Sequence, residues 1–93
     1  MQMHNPPHPG QIIKSIYIDE LGMSYRDIAA LLDVSASTVG RIVTEQSSVT
    51  PEMAVRLSKS FGRSPESWLK LQYQYDLWHV QQNDELFENV RQL

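Results

Sequence analysis

Proline and glycine divide this sequence into stretches whose apolar residues recur at helical spacing. The pairs Thr50-Pro51 and Ser64-Pro65 each join a side chain that caps a helix to a residue suited to its first turn. Gly22 follows an apolar run and provides a helix stop, because glycine readily adopts left-handed backbone conformations. No segment alternates apolar and polar residues as a strand would. The pattern predicts an all-α fold, a bundle of five helices with an extended C-terminal helix.

Each predicted helix has one apolar face, and together these faces would form a single small core. Ninety-three residues are too few for two cores, since each would have under about 50. The positions expected to face inward are Ile12, Ile13, Ile16, Tyr17, Leu21, Ile28, Leu31, Leu32, Val39, Ile42, Val43, Met53, Ala54, Leu57 and Phe61.

Residues 25–44 have the spacing of two short helices joined by a tight turn. Ala29 is small enough for the place where two steeply crossing helices approach, and Val34 would fill the corner after Asp33. Val39 and Ile42 would anchor the second helix on the first. Its outer face is polar, and such a helix is suited to enter the DNA major groove and meet base edges.

Small hydroxyl side chains and one arginine are the candidate DNA contacts. Arg41 either makes a bidentate contact with guanine, or contacts a phosphate, or pairs with Glu45 four residues later. Gly40 either lets the helix backbone approach the bases or is simply tolerated. The full set of candidates is Ser24, Tyr25, Ser35, Ser37, Thr38, Arg41, Thr44, Gln46 and Ser47.

The last helix carries more apolar surface than one small bundle needs. One of its two apolar stripes would close the core, and the other would form a dimer or partner surface, because aromatic residues are enriched at interfaces. The interface candidates are Trp68, Tyr73, Tyr75, Leu77 and Trp78.

The net charge of −3 is unusual for a DNA-binding protein, since phosphate attracts basic domains. The acidic excess lies in the C-terminal third of the chain: residues 64–93 have a net charge of −3, whereas residues 24–63 have five basic against four acidic residues. DNA binding is therefore not excluded, and we expect it to rest on helix-end amides, hydroxyls and dimer avidity. The end of the chain, residues 81–93, is an amphipathic tail with apolar residues at Leu86, Phe87, Val90 and Leu93. We expect this tail to become ordered when it binds a partner.

Several other function classes have little support. The absence of cysteine removes disulfide scaffolds, thiolate zinc sites and thiol nucleophiles. His4, His8 and His79 lack the spacing of a metal site, since Pro6 and Pro7 separate the first two. With neither a catalytic triad order nor a phosphate loop, we expect no enzyme activity and no cofactor. The lack of a signal sequence and of an apolar run of about 20 residues favours a cytoplasmic protein without membrane association.

Two motifs outside the helix pair are distinctive: Asn-Pro-Pro-His-Pro-Gly at residues 5–10 and Ser-Pro-Glu-Ser-Trp-Leu-Lys-Leu-Gln at residues 64–72. With the helix pair, they resemble the HigA-type antitoxins, a virulence-associated-protein-I-like group of the Cro/repressor-like helix-turn-helix superfamily. The resemblance spans residues 4–80. It implies a dimeric DNA-binding antitoxin that represses its own operon and pairs with a small basic toxin, a RelE-like ribonuclease that cuts mRNA on ribosomes.

The same resemblance marks departures where DNA would be read. Relatives often have glutamine at position 25 and glycine at positions 33 and 45, where this chain has Tyr25, Asp33 and Glu45. They commonly carry arginine or asparagine at positions 36, 38 and 40. We therefore expect the geometry of DNA binding to be kept and its strength to be reduced.

The leading hypothesis is a homodimeric antitoxin and repressor that reads a palindromic operator in double-stranded DNA with two recognition helices about one turn of DNA apart. The alternatives are a protein-interaction module on the same fold, which masks a basic partner with little or no DNA binding, and a solitary transcriptional repressor. In each case we expect an N-terminal arm at residues 1–8, a helix-turn-helix domain at 9–80 and an acidic amphipathic tail at 81–93.

Overall fold

The computed structural model describes residues 5–93, which form helices and no strands. Helix α1 (Pro9–Ile13) continues as a π-helical segment over Lys14–Glu20. Then follow α2 (Tyr25–Leu32), α3 (Ala36–Val43), α4 (Pro51–Phe61), the long α5 (Pro65–Gln81) and a 3-10 turn at Asp84–Phe87. The predicted all-α fold of five helices is confirmed. No helix in residues 5–93 is long and apolar enough to cross a membrane, and His4 lies outside the described residues.

Polar side chains cap α2, α4 and α5, and the caps of α4 and α5 are those that the sequence predicts. Ser24 and Asp27 form a reciprocal capping box on α2: the Ser24 hydroxyl accepts the Asp27 N–H at 3.0 Å, and the Asp27 carboxylate accepts the Ser24 N–H at 2.9 Å. These hydrogen bonds lower the pKa of Asp27. Thr50 and Ser64 cap α4 and α5 by accepting the N–H three residues further on.

All five helices contribute to one core. Trp68 is its largest fully buried side chain, and the indole Nε1 donates a hydrogen bond to the Gly62 carbonyl at 3.1 Å. The indole therefore satisfies its only donor where α4 ends. The buried apolar residues are Ile13, Ile28, Ala29, Leu32, Val39, Ile42, Val43, Val49, Met53, Ala54, Leu57 and Trp68.

Three residues predicted to face the core lie on the surface: Ile16, Leu21, which is 64% exposed, and Leu31, which is 55% exposed. The first helix widens into a π-helix after its first five residues, so the 3.6-residue period that placed Ile16 and Leu21 inside does not apply there. Tyr17 still packs inward and stacks on Phe61, with ring centroids 3.9 Å apart. In α2 the residue after Leu31 takes the inward position instead.

Gly10 marks a close approach between α1 and α3. A methyl group at this position would lie 2.9 Å from the Ile42 carbonyl carbon and would collide with the carbonyl oxygen. The buried His8 begins α1, because its Nδ1 accepts the Gly10 N–H at 2.9 Å. The Pro-Gly opening therefore lets the α1 backbone rest on the backbone of α3.

Candidate DNA-binding surface

The turn between α2 and α3 is closed by a residue from α4. Asp33 has left-handed backbone angles (φ 57°, ψ 49°), at the position where the resemblance places glycine. One Nη of Arg56 donates to the carbonyls of Leu32 (2.8 Å) and Asp33 (3.1 Å). The charge of Arg56 is therefore used to hold the carboxyl end of α2, where a cation also suits the helix dipole.

The exposed face of α3 carries a row of linked polar side chains. Ser35 caps the helix by accepting the Thr38 N–H at 3.1 Å, and its hydroxyl lies 3.1 Å from that of Ser37 and 2.8 Å from that of Thr38. Arg41 donates to the Thr38 hydroxyl at 3.4 Å. Val39, on the opposite side of α3, is buried. The core thus fixes one side of α3 and leaves hydroxyls and a guanidinium on the other.

The remaining predicted contacts lie at the two ends of this surface. Thr44 and Gln46 are exposed and Ser47 is half-buried, just after α3. The Thr44 hydroxyl donates to the Gly40 carbonyl at 2.7 Å. Ser24 lies at the start of α2, where its hydroxyl is already used in the capping box.

Gly40 has a role that neither sequence interpretation anticipated. The ring of Tyr25 packs against it, and a methyl group at position 40 would lie 3.3 Å from the Tyr25 Cε2. Gly40 therefore makes room for an aromatic side chain where α2 and α3 cross.

Arg41 does not pair with Glu45, so the ion-pair alternative is wrong. Glu45 has a left-handed backbone (φ 65°), which turns its carboxylate towards α1 and α5. There it accepts a hydrogen bond from Gln11 Nε2, at 2.9 Å, and lies near the Tyr75 hydroxyl. Burial, followed by the neighbouring Glu45 carboxylate, raises the pKa of Tyr75. The Arg41 guanidinium is consequently left at the exposed surface.

Arg26 is an exposed cation that the sequence-derived candidate set omits. It lies in the first turn of α2, and its side chain has no hydrogen bond or ion pair within residues 5–93. Backbone N–H groups at a helix start favour phosphate, and a cation placed beside them strengthens that preference. The signal that could have found Arg26 is its position two residues after the Ser24 cap.

The interface candidates on α5 occupy different environments. Trp68 is 1% exposed and belongs to the core, so the prediction that it contributes to an interface is wrong. Tyr73, which is 69% exposed, and Leu77 lie on the outer side of α5, together with Val80. This exposed apolar stripe, Tyr73–Leu77–Val80, is continuous because the spacing of three and four residues keeps one helical face.

Tyr75 and Trp78 are half-buried and lie beside histidines. Tyr75 meets the edge of the His8 ring, with centroids 4.8 Å apart, and the His79 ring, with centroids 4.1 Å apart. Trp78 contacts His79 at 5.0 Å. Tyr75 thus links the start of α1 to α5 instead of facing outward.

The geometry of α2, the turn and α3 defines a helix-turn-helix protein, and residues 13–68 match the helix-turn-helix family model. The chain belongs to this family. A curated relative, the uncharacterised HTH-type transcriptional regulator YddM of Escherichia coli (strain K12), is 43% identical over 77 residues, which cover 83% of this chain and 81% of YddM.

The structural neighbours of this chain among helix-turn-helix proteins include HigA-type antitoxins, as the sequence resemblance implied. The antitoxin GraA has a TM-score of 0.90 at 36% identity, covering 98% of this chain and 100% of GraA, and it has also been solved in complex with its operator. The Pseudomonas aeruginosa antitoxin HigA, solved with the higBA promoter, has a TM-score of 0.82 at 35% identity, covering 94% of this chain and 96% of HigA. The family consists of non-enzymatic regulators and antitoxins.

Proposed function

We propose that this protein is a homodimeric DNA-binding antitoxin that represses its own operon in the cytoplasm. The observation that carries the proposal is the exposed face of α3, where Ser37, Thr38 and Arg41 project from a helix fixed by the core. The solved DNA complexes of GraA and HigA support it, because these proteins share the fold. In this proposal α3 enters the major groove and Arg41 contacts guanine.

Few cations are available to neutralise phosphate. Arg56 is committed to the turn, which leaves Arg26 and Arg41 as the exposed cations on α2 and α3. If Arg26 of each protomer contacts phosphate while Arg41 contacts guanine, the side chains of the dimer neutralise about two phosphates, which gives a slope of about −1.8 for log K against log salt. We therefore expect binding at low salt that weakens as salt is added.

A mobility-shift titration with the DNA upstream of the gene tests this proposal. Arg41→Ala should weaken binding by about 2–6 kcal/mol for the two protomers, since each arginine–guanine pair contributes about 1–3 kcal/mol. Thr38→Glu should abolish DNA binding, because it places a carboxylate against the bases. The matched control is Lys59→Ala, which removes an exposed cation of α4 that has no bond within residues 5–93. No shift by the unaltered protein at low salt would contradict the proposal.

The exposed apolar stripe on α5 is our proposed dimer interface. A second copy would cover Tyr73, Leu77 and Val80 and would set the two α3 helices at the spacing of one DNA turn, about 34 Å. Leu77→Glu should give a folded monomer in sedimentation experiments, with unchanged helical circular dichroism because the side chain is exposed in the single chain, and with a thermal midpoint lowered by the loss of dimerisation. Val55→Glu, at an exposed position on α4, is the control that should leave the dimer intact.

We further propose that the partner is a small basic RelE-like toxin that cuts mRNA. Support comes from the antitoxin relatives, which include antitoxin HigA-1 of Vibrio cholerae at 27% identity over 73 residues. If the neighbouring gene encodes a small basic protein, co-expression should relieve its toxicity and yield a stable complex. A tight complex without any DNA shift would instead identify a protein-interaction module, and a shift without a toxic neighbour would identify a solitary repressor.

A further inference from the structure

The turn that follows α3, residues 45–49, is held by hydrogen bonds from two distant parts of the chain. At its start, the Glu45 carboxylate accepts from Gln11 of α1. At its end, the Val49 N–H donates to Gln72 Oε1 of α5 at 2.8 Å. Gln72 is buried, and its Nε2 donates to the Asp76 carboxylate at 3.0 Å, so both ends of the amide are fixed.

Two ring side chains lie against the same turn. His8 is close to the Ser47 backbone, and the Tyr75 hydroxyl is close to the Glu45 carboxylate. The His8 and Tyr75 rings contact each other edge to face. The turn is therefore hydrogen-bonded at its first and fifth residues by side chains from outside it, and His8 and Tyr75 pack beside it.

The turn itself holds no cation. Its exposed polar groups are the Gln46 amide and the Ser48 hydroxyl, with the half-buried Ser47 between them. Uncharged groups bind phosphate through short, directional hydrogen bonds, so their usefulness depends on the position of the backbone that carries them. A cation on a long, flexible side chain could still reach a phosphate if the backbone were displaced. The short polar groups of this turn would lose their hydrogen bonds to phosphate.

We propose that Gln72 is a positioning residue for DNA binding, which together with His8 and Tyr75 sets the turn 45–49 against the DNA backbone and so links DNA affinity to α5. The inference rests on the proposed DNA-binding function. Gln72 does not touch DNA in this arrangement, and it acts through the Val49 N–H.

Two substitutions of Gln72 separate positioning from stability. Gln72→Met has a similar length and removes both hydrogen bonds. Gln72→Glu keeps the acceptor for the Val49 N–H but replaces the donor to Asp76 by a like charge, so it should lower the thermal midpoint. Gln74→Met, the same change two residues further along α5, is the matched control, since the side chain of Gln74 has no hydrogen bond within residues 5–93.

The measurement is the dissociation constant for the upstream DNA at several salt concentrations, below every variant's unfolding temperature. Gln72→Met should bind about tenfold more weakly, as expected for one or two misplaced hydrogen bonds, with an unchanged salt slope because no cation is lost. Gln72→Glu should bind nearly as well as the unaltered protein despite its lower thermal midpoint, and Gln74→Met should match the unaltered protein in both. Faster exchange of the Val49 amide in Gln72→Met alone should accompany the weaker binding.

The possible failures are distinguishable. If the unaltered protein binds and Gln72→Met binds equally well, the positioning role is overturned while the proposed function stands. The positioning role would also be overturned if DNA affinity falls in proportion to the thermal midpoint across the variants, so that Gln72→Glu binds as weakly as Gln72→Met. Gln72 would then be a structural residue only. If the unaltered protein does not bind DNA at low salt, both proposals fall together.

Discussion

The ring of Tyr25, at the start of α2, fills the space that Gly40 leaves on α3. A methyl group at position 40 would lie 3.3 Å and 3.4 Å from two ring carbons, which is closer than side chains ordinarily pack. Both positions are departures from what the resemblance implies, and the structure shows that they fit each other. The two residues therefore form one contact across the helix-turn-helix.

We expect the effect of Gly40→Ala on stability to depend on Tyr25. In a helix interior, alanine is favoured over glycine by about 1 kcal/mol. In the unaltered protein part of that gain should be lost, because the ring must shift, whereas in a Tyr25→Ala background the full gain should appear. Urea unfolding of the four proteins in this double-mutant cycle measures the difference. If Gly40→Ala raises the free energy of unfolding equally in both backgrounds, the contact between Tyr25 and Gly40 has no effect on stability.

Gly10→Ala should destabilise the fold strongly. The new methyl group would collide with the Ile42 carbonyl, and α1 would have to move away from α3. Overpacking of this kind costs about 1–3 kcal/mol, which urea unfolding would report. Gly40→Ala is the control, since it places the same group on a helix where only a ring must yield. A midpoint for Gly10→Ala that equals the unaltered protein's would contradict the close approach.

The protein should lose stability as the pH falls below about 6.5. Burial lowers the pKa of His8 from its ordinary value of 6.5, while Glu45, Asp76 and the neighbouring Ser47 backbone act in the opposite direction. Folding therefore favours the neutral ring. The His8 contribution is fully present above the unfolded value and is lost as the pH falls towards the lower native value.

Urea midpoints between pH 7.5 and pH 5 test this dependence. His8→Asn keeps an acceptor for the Gly10 N–H but does not titrate, so its midpoint should change less over this range. The lowered pKa of Asp27 acts in a separate range, since that carboxylate loses its contribution only below its ordinary value of 3.8. An equal loss in His8→Asn would assign the effect to other groups.

Arg56→Met should destabilise the turn without altering the salt dependence of DNA binding. The substitution removes the donor to the Leu32 and Asp33 carbonyls, which costs about 1–2 kcal/mol. Lys59→Met, which removes the same charge from the same helix, should leave the unfolding midpoint unchanged. If log K falls less steeply with log salt for Arg56→Met than for Lys59→Met, Arg56 contacts phosphate instead.

The parts of the fold that the sequence predicts are those encoded by neighbouring residues. The caps at Thr50 and Ser64 and the inward faces of α3 and α4 follow from local spacing, and the structure confirms them. The π-helical segment is not predictable in this way, because it changes the helical period without a proline or glycine to mark it. A regular 3.6-residue period therefore predicts an inward position for Leu21, which the structure places on the surface.

The candidate site was harder to predict because its decisive contacts join residues far apart in the chain. Arg56 closes a turn more than twenty residues before it, and Gln72 holds Val49 across a similar separation. The pairing expected between Arg41 and Glu45 follows helical spacing, but the left-handed backbone at Glu45 ends the helix there and redirects the carboxylate. Only the packed tertiary structure reveals which polar groups are already occupied.

The division of α3 into an anchored side and an outward side has a consequence for how such proteins diverge. Val39, Ile42 and Gly10 hold the helix from one direction, while Ser37 and Arg41 have no part in the core. In the proposed complex with DNA, mutations at these outward positions change which DNA sequence is bound, at little cost to folding. A lineage with this scaffold can therefore acquire a new operator, and become insulated from a sister copy in the same genome, through a few exchanges on one helix.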